Sequence, residues 1–225
     1  MKLSDKTVSV LKNYSTINQN LMIKVGNTLS TMSAMKNIVA KATVSETFEK
    51  DVAIYDLNEF LAALSLFENP DLDFQDKFVI MKDKTNNVLK YWYSDPSVVT
   101  AVKDEINMPP AEISFNLSDK VLSDITKAAA VIGVPDMVLH NGTLRVTDKK
   151  NDTANMFSME VDYDKMDHET PIPVDHKFWF KVENLKLMPG TYNVGVSKNK
   201  ISNFKNTQVD IEYFIALEPE SYYGK

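Results

Sequence analysis

One short stretch of this sequence brings together several side chains that could bind a metal. Asp162, Asp164 and Asp167 stand close to His168, one of only three histidines. Oxygen ligands suit Ca²⁺ and Mg²⁺, so this cluster could in principle hold a divalent cation. A polar hairpin or loop has the same composition and is the simpler interpretation. We therefore expect no metal and no catalytic residue, and a calcium or magnesium titration without a thermal shift would agree.

The rest of the chain lacks the common catalytic and nucleotide-binding motifs. It contains no G-x-x-x-x-G-K, G-x-G-x-x-G or H-E-x-x-H pattern, and no G-x-S-x-G turn that would expose a serine. A Ser/His/Asp triad built from distant residues stays open. The chain has no cysteine, which excludes disulfides, thiol nucleophiles and cysteine-bound zinc. A protein that binds is better supported than an enzyme.

Lysine dominates the basic residues of the chain. Of 25 lysines and arginines only Arg145 is an arginine, and the formal net charge is −6. Arginine is the usual reader of guanine edges, so sequence-specific recognition of DNA is not expected. The negative charge argues against a wholly basic surface but permits one basic face. No apolar run approaches the roughly 20 residues that span a bilayer, and the start MKLSDKTVSV lacks a signal peptide's apolar stretch, so we expect a cytoplasmic protein.

The elements that would carry such a face begin with a repeated motif. Leu-Ser-Asp-Lys occurs at 3–6 and again at 117–120. Each serine is a typical N-cap, each leucine has hydrophobic-staple spacing to a later apolar residue, and each aspartate suits the first helical turn. The helical period predicts core faces of Val8, Leu11 and Ser15 and of Leu122, Ile125, Ala129 and Ile132, opposite Lys6, Ser9 and Asn13 and Lys120, Ser123 and Lys127.

The segments that follow the two helices also correspond. NLMIKVGNTLSTMS (20–33) and DMVLHNGTLRVTD (136–148) each predict two strands around a tight turn, at Gly26-Asn27 and at Asn141-Gly142. After one more strand, DVAIYDLNEFLAALSLF (51–67) and KFWFKVENLKLMPG (177–190) each predict a strand running into a short helix. The first of these helices should bury Leu57, Phe60, Leu61 and Leu64.

These patterns predict an α+β fold with two similar domains, each with two helices packed on antiparallel sheets. The first domain spans 1–94 and the second 111–225. The segment 95–110, which contains Pro96, Pro109 and Pro110, predicts an extended connector between them.

The duplicated module resembles the DNA polymerase sliding clamps of T-even-like bacteriophages, which belong to the PCNA-like ring family. The stretch at 51–67, quoted above, is very similar to these clamps. Further similar stretches are LSDKTVSVLKNYSTIN (3–18), SDPSVV (94–99) and MPGTY (188–192). The resemblance covers essentially the whole chain and is more specific in its first half.

The resemblance implies a homotrimer in which three two-domain chains close a six-domain ring around duplex DNA. Helices would line the hole and sheets would form the outside. Such a ring is opened and closed by an ATP-driven clamp loader, holds the replicative polymerase on its template as a processivity factor, and serves as a platform for phage late-transcription factors in the infected host. The clamp itself would have no cofactor, no membrane contact and no catalytic activity.

Lysines on the first, third and fourth helices are the residues expected to face DNA under this resemblance. Flexible ammonium groups supply attraction to phosphates without reading sequence. Without the resemblance, a solvated helix face would explain the same residues. The predicted set is Lys2, Lys6, Lys12, Lys120, Lys127, Lys181 and Lys186. The second helix departs from this pattern, since it carries Asp56 and Glu59 and no lysine.

Ring closure would need free strand edges. By the clamp plan, VLKYWYS (88–94) should pair with NMFSMEVDY (155–163) of a neighbouring chain, which would cover aromatic residues on an exposed edge. A place in the domain core is the alternative for Trp92. The predicted interface residues are Tyr91, Trp92, Tyr93, Phe157, Met159 and Val161.

Partners of such clamps insert a short hydrophobic peptide beside the connector. The candidate pocket residues are Val98, Val99, Ile106, Met108, Leu217 and Pro219. Packing against the sheet for stability alone is the alternative interpretation. A structural or assembly ring that binds no DNA remains the second hypothesis for the protein as a whole.

Overall fold

The computed structural model describes residues 1–102, 106–161 and 175–224. The chain forms two compact units, Met1–Glu105 and Ile106–Lys225, and the division falls within the segment predicted as a connector. In these described ranges no helix is both long and apolar enough to cross a membrane.

Within residues 1–102, the first unit contains two α-helices and seven strands. Strand β1 pairs with β4, β2 pairs with β3, and β5, β6 and β7 form a sheet in that order, all antiparallel. A 3₁₀ turn at Pro96–Val98 follows. The elements are α1 (Asp5–Ile17), β1 (Leu21–Ile23), β2 (Gly26–Met32), β3 (Ile38–Phe48), β4 (Val52–Ile54), α2 (Leu57–Ser65), β5 (Asp71–Phe74), β6 (Phe78–Lys82) and β7 (Val88–Trp92).

The second unit contains one α-helix and nine strands among its described residues. One antiparallel sheet has the order β11-β10-β9-β12-β16, and β8, β13, β14 and β15 pair in that order. The elements are β8 (Ile113–Leu117), α3 (Asp119–Ile132), β9 (Asp136–His140), β10 (Thr143–Thr147), β11 (Phe157–Glu160), β12 (His176–Lys181), β13 (Tyr192–Ser197), β14 (Ile201–Asn206), β15 (Ile211–Ala216) and β16 (Tyr222–Tyr223).

Helix α1 begins where the Leu-Ser-Asp-Lys motif predicts, but its buried face differs from the prediction. Ser4 is the N-cap and accepts a hydrogen bond from the Thr7 backbone N–H. The predicted core residues Val8 and Ser15 are only half-buried, and the buried residues are Thr7, Val10, Leu11, Tyr14 and Ile17. The buried face is rotated from the predicted one because Thr7 and Tyr14 find hydrogen-bond partners on the sheet. The Thr7 hydroxyl donates to Glu46, and the Tyr14 hydroxyl donates to the Leu29 carbonyl at 3.0 Å.

Helix α3 follows its prediction more closely. Ser118 caps it by accepting from the Val121 N–H, and Leu122, Ile125 and Ala129 are buried while Ile132 is half-buried. Its C-cap is Gly133 with φ 68°, a left-handed conformation that glycine adopts without a Cβ penalty.

One of the two predicted tight turns is confirmed and the other is wrong. Asn141 (φ 47°) and Gly142 (φ 79°) join β9 to β10, as the Asn-Gly pair predicts. Gly26 instead begins β2, and β1 pairs with β4 rather than with β2. The chain leaves β1 through Lys24 and Val25, which are both hydrogen-bonded to the Asp51 carboxylate.

The two predicted short helices also differ. Helix α2 forms, with Asp56 capping it and Leu57, Phe60 and Leu64 buried, while Leu61 is half-buried. In the second unit the corresponding segment is a single 3₁₀ turn, Val182–Asn184, which has no side-chain cap. Few residues separate this turn from Pro189, and an uncapped helix so short is not stable alone.

Candidate DNA-facing surface and assembly edges

The start of α1, which carries the first candidate lysine, is held by a carboxylate from β3. Glu46 Oε1 accepts from the Ser4 backbone N–H, and Glu46 Oε2 accepts from the Thr7 hydroxyl at 2.5 Å. Partial burial acts to raise the pKa of Glu46, but the hydrogen bonds from Thr7 and Ser4 outweigh it and hold the pKa below its ordinary value. The helix therefore starts at a fixed place on the sheet.

The lysines of α1 point away from its buried face. Lys6 and Lys12 are exposed, and neither has an ion pair within the described residues. Lys2 precedes the helix, and its Nζ lies 4.0 Å from Asp71 Oδ2 in a weak surface ion pair. Both helical lysines are thus available to an anionic partner.

The lysines of α3 have a similar placement. Lys120 is exposed and pairs with Asp124 one turn along the helix. Lys127 is exposed and has no ion pair in the part of the chain that the structure describes. An exposed pair of this kind contributes little to stability, so Lys120 can exchange Asp124 for another anion at small cost.

Lys181 lies at the end of β12, not on a helix, and its ammonium is held by carboxylates. Its Nζ is 2.6 Å from Oδ1 of buried Asp136 and 3.8 Å from Glu218 Oε2. Lys149 Nζ lies 2.8 Å from Glu218 Oε2 in the same network. The network fastens residue 218 to β12, where the Glu218 N–H also donates to the Trp179 carbonyl at 2.8 Å.

The prediction that Lys181 and Lys186 face DNA depends on a fourth helix near them. The structure has only a 3₁₀ turn there, Val182–Asn184, so the helix does not support this prediction. Lys186 follows the turn and is half-buried. The acidic helix α2 is as the sequence indicates, with Asp56 and Glu59 at its start.

Strand β7 is the last strand of its sheet and carries the predicted aromatic edge. Tyr91 packs edge-to-face on Phe60 of α2, with ring centroids 5.3 Å apart, and its hydroxyl donates to the Asp56 carbonyl at 3.3 Å. Burial, helped by the charges of Glu59 and Asp56, raises the pKa of Tyr91 to about 12. The Tyr93 hydroxyl is buried and has no hydrogen-bond partner among the described residues. Tyr91 and Tyr93 therefore lie on the helix side of the sheet.

The other side of β7 is open. Trp92 is 60% exposed, so within a single chain it is not a core residue. Lys90 Nζ lies 3.6 Å from the centroid of the Phe78 ring and 4.1 Å from that of the Trp92 ring. Cation–π attraction to both rings holds the ammonium there.

Strand β11 is an edge strand of the second unit's five-stranded sheet, in which its neighbour is β10. Met159 is half-buried, Phe157 is 38% exposed and Val161 is buried. These three residues occupy every second position of the strand and therefore share the face on which Leu144 and Val146 of β10 are buried. The predicted partner segments thus both lie at sheet edges, although residues 162 and 163 of the second segment lie outside the described residues.

The candidate pocket residues have different environments. Val99 is buried against Met22 and Ala53, which is what packing for stability alone would give. Val98 is 54% exposed. Of the others, Leu217 is buried, Ile106 and Met108 are half-buried, and Pro219 is exposed.

The candidate metal ligands Asp162, Asp164, Asp167 and His168 lie outside the described residues. Across the described ranges, no group of three or more histidine, aspartate or glutamate side chains is arranged to hold a metal ion.

Comparison with known proteins decides the family. The profile described as DNA polymerase processivity factor matches residues 2–106. The sliding clamp of Vibrio phage KVP40 is 32% identical over 227 residues, which cover 97% of this chain and 99% of that protein. The chain belongs to the sliding clamp family. The sliding clamps of Enterobacteria phage T4 (29% identical) and Escherichia phage RB69 (25% identical) each align with 98% of both chains.

Solved structures show the same clamp fold at low sequence identity. PCNA from Entamoeba histolytica has a TM-score of 0.67 at 14% identity, over 94% of each chain. PCNA from Thermococcus kodakaraensis has a TM-score of 0.69 at 15% identity, over 97% of this chain and 99% of that one. A. fulgidus PCNA, solved with the C-terminal region of FEN-1, has a TM-score of 0.70 at 13% identity, over 98% and 100%. The predicted family and α+β fold class are confirmed.

Proposed function

We propose that three copies of this chain close into a six-domain ring around duplex DNA and tether the replicative polymerase as a processivity factor. The observation that carries the proposal is the alignment with phage sliding clamps over nearly the whole of both chains. The lysines at the starts of α1 and α3 support it, because both helices expose them on the side away from the core. The ring acts by holding and performs no chemistry.

The proposed DNA-facing set is Lys6, Lys12, Lys120 and Lys127, with Lys2 beside them. A sliding ring needs contacts that break at every step, and lysines that face phosphates through water supply attraction of that kind. Lys181 is left out because Asp136 and Glu218 hold its ammonium. Lys186 remains a prediction.

The overall charge requires the basic groups to be segregated. Three chains would carry a formal charge of −18, three times the −6 of one chain. With the lysines of α1 and α3 toward DNA, the acidic groups would lie mainly on the outer sheets, where they would repel DNA from the wrong surface.

Ring closure would come from β7 of one copy pairing with β11 of the next. Both strands lie at the ends of their sheets, and β7 exposes Trp92, which makes an unpaired edge an aggregation hazard. The interface would contain Tyr91, Trp92, Tyr93, Phe157, Met159 and Val161.

The partners of the ring would be an ATP-driven clamp loader, the replicative polymerase and late-transcription factors, in the cytoplasm of the infected bacterial cell. Their short hydrophobic peptides would bind near Val98, Ile106, Met108, Leu217 and Pro219. Val99 would support this surface from the core.

Polymerase stimulation on a long primed template tests the function. We expect longer products only when the chain, a clamp loader and ATP are all present. Lys6→Glu with Lys127→Glu should shorten the products, whereas Lys205→Glu, an exposed lysine on β14, should not. Rings that form but never lengthen the products would favour the structural, DNA-free alternative.

A further inference from the structure

Strands β7 and β11 each have one side without a neighbouring strand in the described part of the chain. β7 ends the order β5-β6-β7, and β11 ends the order β11-β10-β9-β12-β16. The backbone groups on those open sides can be worked out from the pairing on the closed sides, because hydrogen-bond direction alternates along an antiparallel strand.

On β7 the open groups belong to the even-numbered residues. The Tyr93 N–H donates to the Lys77 carbonyl at 2.9 Å, one step beyond the paired residues Trp92 and Phe78. Tyr91 therefore also directs its backbone groups toward β6. Those of Lys90 and Trp92 point to the open side.

On β11 the open groups are again those of even-numbered residues. The Val161 N–H donates to the Gly142 carbonyl at 2.8 Å, one step beyond the pair Glu160 and Thr143. Met159 therefore directs its backbone groups toward β10. Those of Ser158 and Glu160 point to the open side.

The side chains impose the same alignment independently. The odd-numbered residues of β7 lie on the side of α2, as the contact of Tyr91 with Phe60 shows. The odd-numbered residues of β11 share a face with buried Leu144 and Val146, and α3 packs against β10 and β11. Placing even residues of β7 opposite even residues of β11 therefore satisfies the backbone hydrogen bonds. It also leaves α2 of one copy and α3 of the other copy on the same side of a continuous sheet.

Charge favours a register in which Lys90 faces a carboxylate of the described residues. On the outer face, Lys90 has no carboxylate within ion-pair distance in the described residues, and its ammonium lies over the Phe78 and Trp92 rings. Glu160 is exposed and has no ion pair in the same residues. Opposite charges that face each other across an antiparallel pair stabilise it.

We propose that β7 of one copy pairs with β11 of a second copy in the antiparallel register that places Lys90 opposite Glu160. This inference rests on the proposed ring. The register also places Tyr91 opposite Met159, Tyr93 opposite Phe157 and Leu89 opposite Val161, so every inward apolar residue of β7 faces an apolar partner. A shift by two residues in one direction would place Glu160 opposite Val88 and leave Lys90 opposite Ser158. A shift in the other direction would place Lys90 opposite residue 162, outside the described residues, and leave the Glu160 carboxylate facing Trp92 without a positive partner.

A charge swap tests the pairing. Lys90→Glu or Glu160→Lys alone should raise the concentration at which the trimer half-dissociates by roughly tenfold in low salt, since like charges would face each other. The double variant should return it near the wild-type value, as measured by sedimentation. Lys41→Glu, an exposed lysine on β3, makes the same charge change as Lys90→Glu and should leave assembly unchanged.

A cysteine pair tests the register directly. The chain has no cysteine, so a disulfide in Lys90→Cys/Glu160→Cys can form only between introduced cysteines, and peptide mapping shows whether it joins position 90 to position 160. We expect a covalent trimer from this variant and little cross-linking from Lys90→Cys/Met156→Cys. A wild-type chain that stays monomeric overturns the ring itself. A wild-type trimer whose charge swap fails to restore assembly, or that cross-links through residue 156 instead, overturns this register alone.

Discussion

The two helices that begin with Leu-Ser-Asp-Lys have the same cap but are anchored to their sheets in different ways. At α1 the anchor is Glu46 from β3, which accepts from the Ser4 N–H and the Thr7 hydroxyl. At α3 the anchor is the motif's own aspartate, because Asp119 Oδ1 accepts from the Gly190 N–H at 2.7 Å. The motif therefore specifies where a helix starts, while its anchoring depends on residues far away in the sequence.

The second half of each module diverges further. Helix α2 has nine residues and a capping Asp56, whereas the matching segment of the second unit is one 3₁₀ turn. The candidate DNA-facing lysines of the structure are consequently on α1 and α3, which are also the helices that the repeated motif begins.

The largest difference between the anchors should appear at Gly190. Its φ is 143°, and a Cβ there would lie 2.6 Å from Asn206 Nδ2. Asn206 cannot easily move, because its Oδ1 accepts from the N–H groups of Gln208 and Val209. Gly190→Ala should destabilise the protein by about 3 kcal/mol through backbone strain and this clash, as measured by denaturant unfolding.

Gly133 is the matched control for this substitution. It also has a positive φ, of 68°, but nothing lies within 4 Å of the Cβ position. Gly133→Ala should cost only about 1 kcal/mol, the strain of a left-handed alanine. Equal losses at both positions would show that the turn at Gly190 is not a close contact.

The carboxylate anchor of α1 should be sensitive to acid. Glu46→Gln should lower the free energy of unfolding by about 1.5 kcal/mol at pH 7, because a charged acceptor of two hydrogen bonds is lost. The pKa of Glu46 is held below its ordinary value of 4.5, so its stabilisation is present above that pH and is lost as the pH falls through the lower, folded value. The difference between wild type and variant should therefore shrink in acid.

Glu49, an exposed residue directly after the last residue of β3, provides the control for that experiment. Glu49→Gln should leave stability almost unchanged at every pH. A Glu46→Gln difference that stays constant from pH 7 to pH 3 would contradict an ionised anchor at the start of α1.

The smallest losses of stability should come from substitutions in the N-cap that α1 and α3 have in common. Ser4→Ala and Ser118→Ala each remove an N-cap hydrogen bond and should cost about 1 kcal/mol. Ser4 Oγ also lies 3.0 Å from Thr7 Oγ1, so its loss should be slightly greater. Ser9→Ala, on the exposed side of α1, should be nearly neutral in thermal unfolding. A cap that can be removed from one helix without loss would mean the two starts are not equivalent.

The sequence predicted the features that local chemistry determines. Ser4 and Ser118 as caps, the Asn141-Gly142 turn and the buried side of α3 all follow from a few neighbouring residues. The family was predicted from longer stretches, most clearly 51–67, and the comparisons confirm it.

The features that were missed depend on distant partners. Thr7 and Tyr14 are buried because Glu46 and the Leu29 carbonyl receive their hydroxyls, which hydrophobic periodicity cannot show. Strand β14 was not predicted, because KNKISNFKN is mostly polar. The segment forms a strand because its backbone pairs with β13 on one side and β15 on the other. The alternation in VLKYWYS does predict that Lys90 shares a face with Trp92, but a lysine on a strand gives no sign by itself of a pairing partner.

Retention on circular and linear DNA tests the central claim most directly. The chain should be loaded by an ATP-driven clamp loader onto a nicked circular duplex, separated from free protein at high salt, and then exposed to a nuclease that cuts the circle once. A ring linked to DNA by topology should remain on the circle at high salt and leave after the cut. Equal retention on circular and linear DNA, or complete loss from both in high salt, would contradict a closed ring around the duplex.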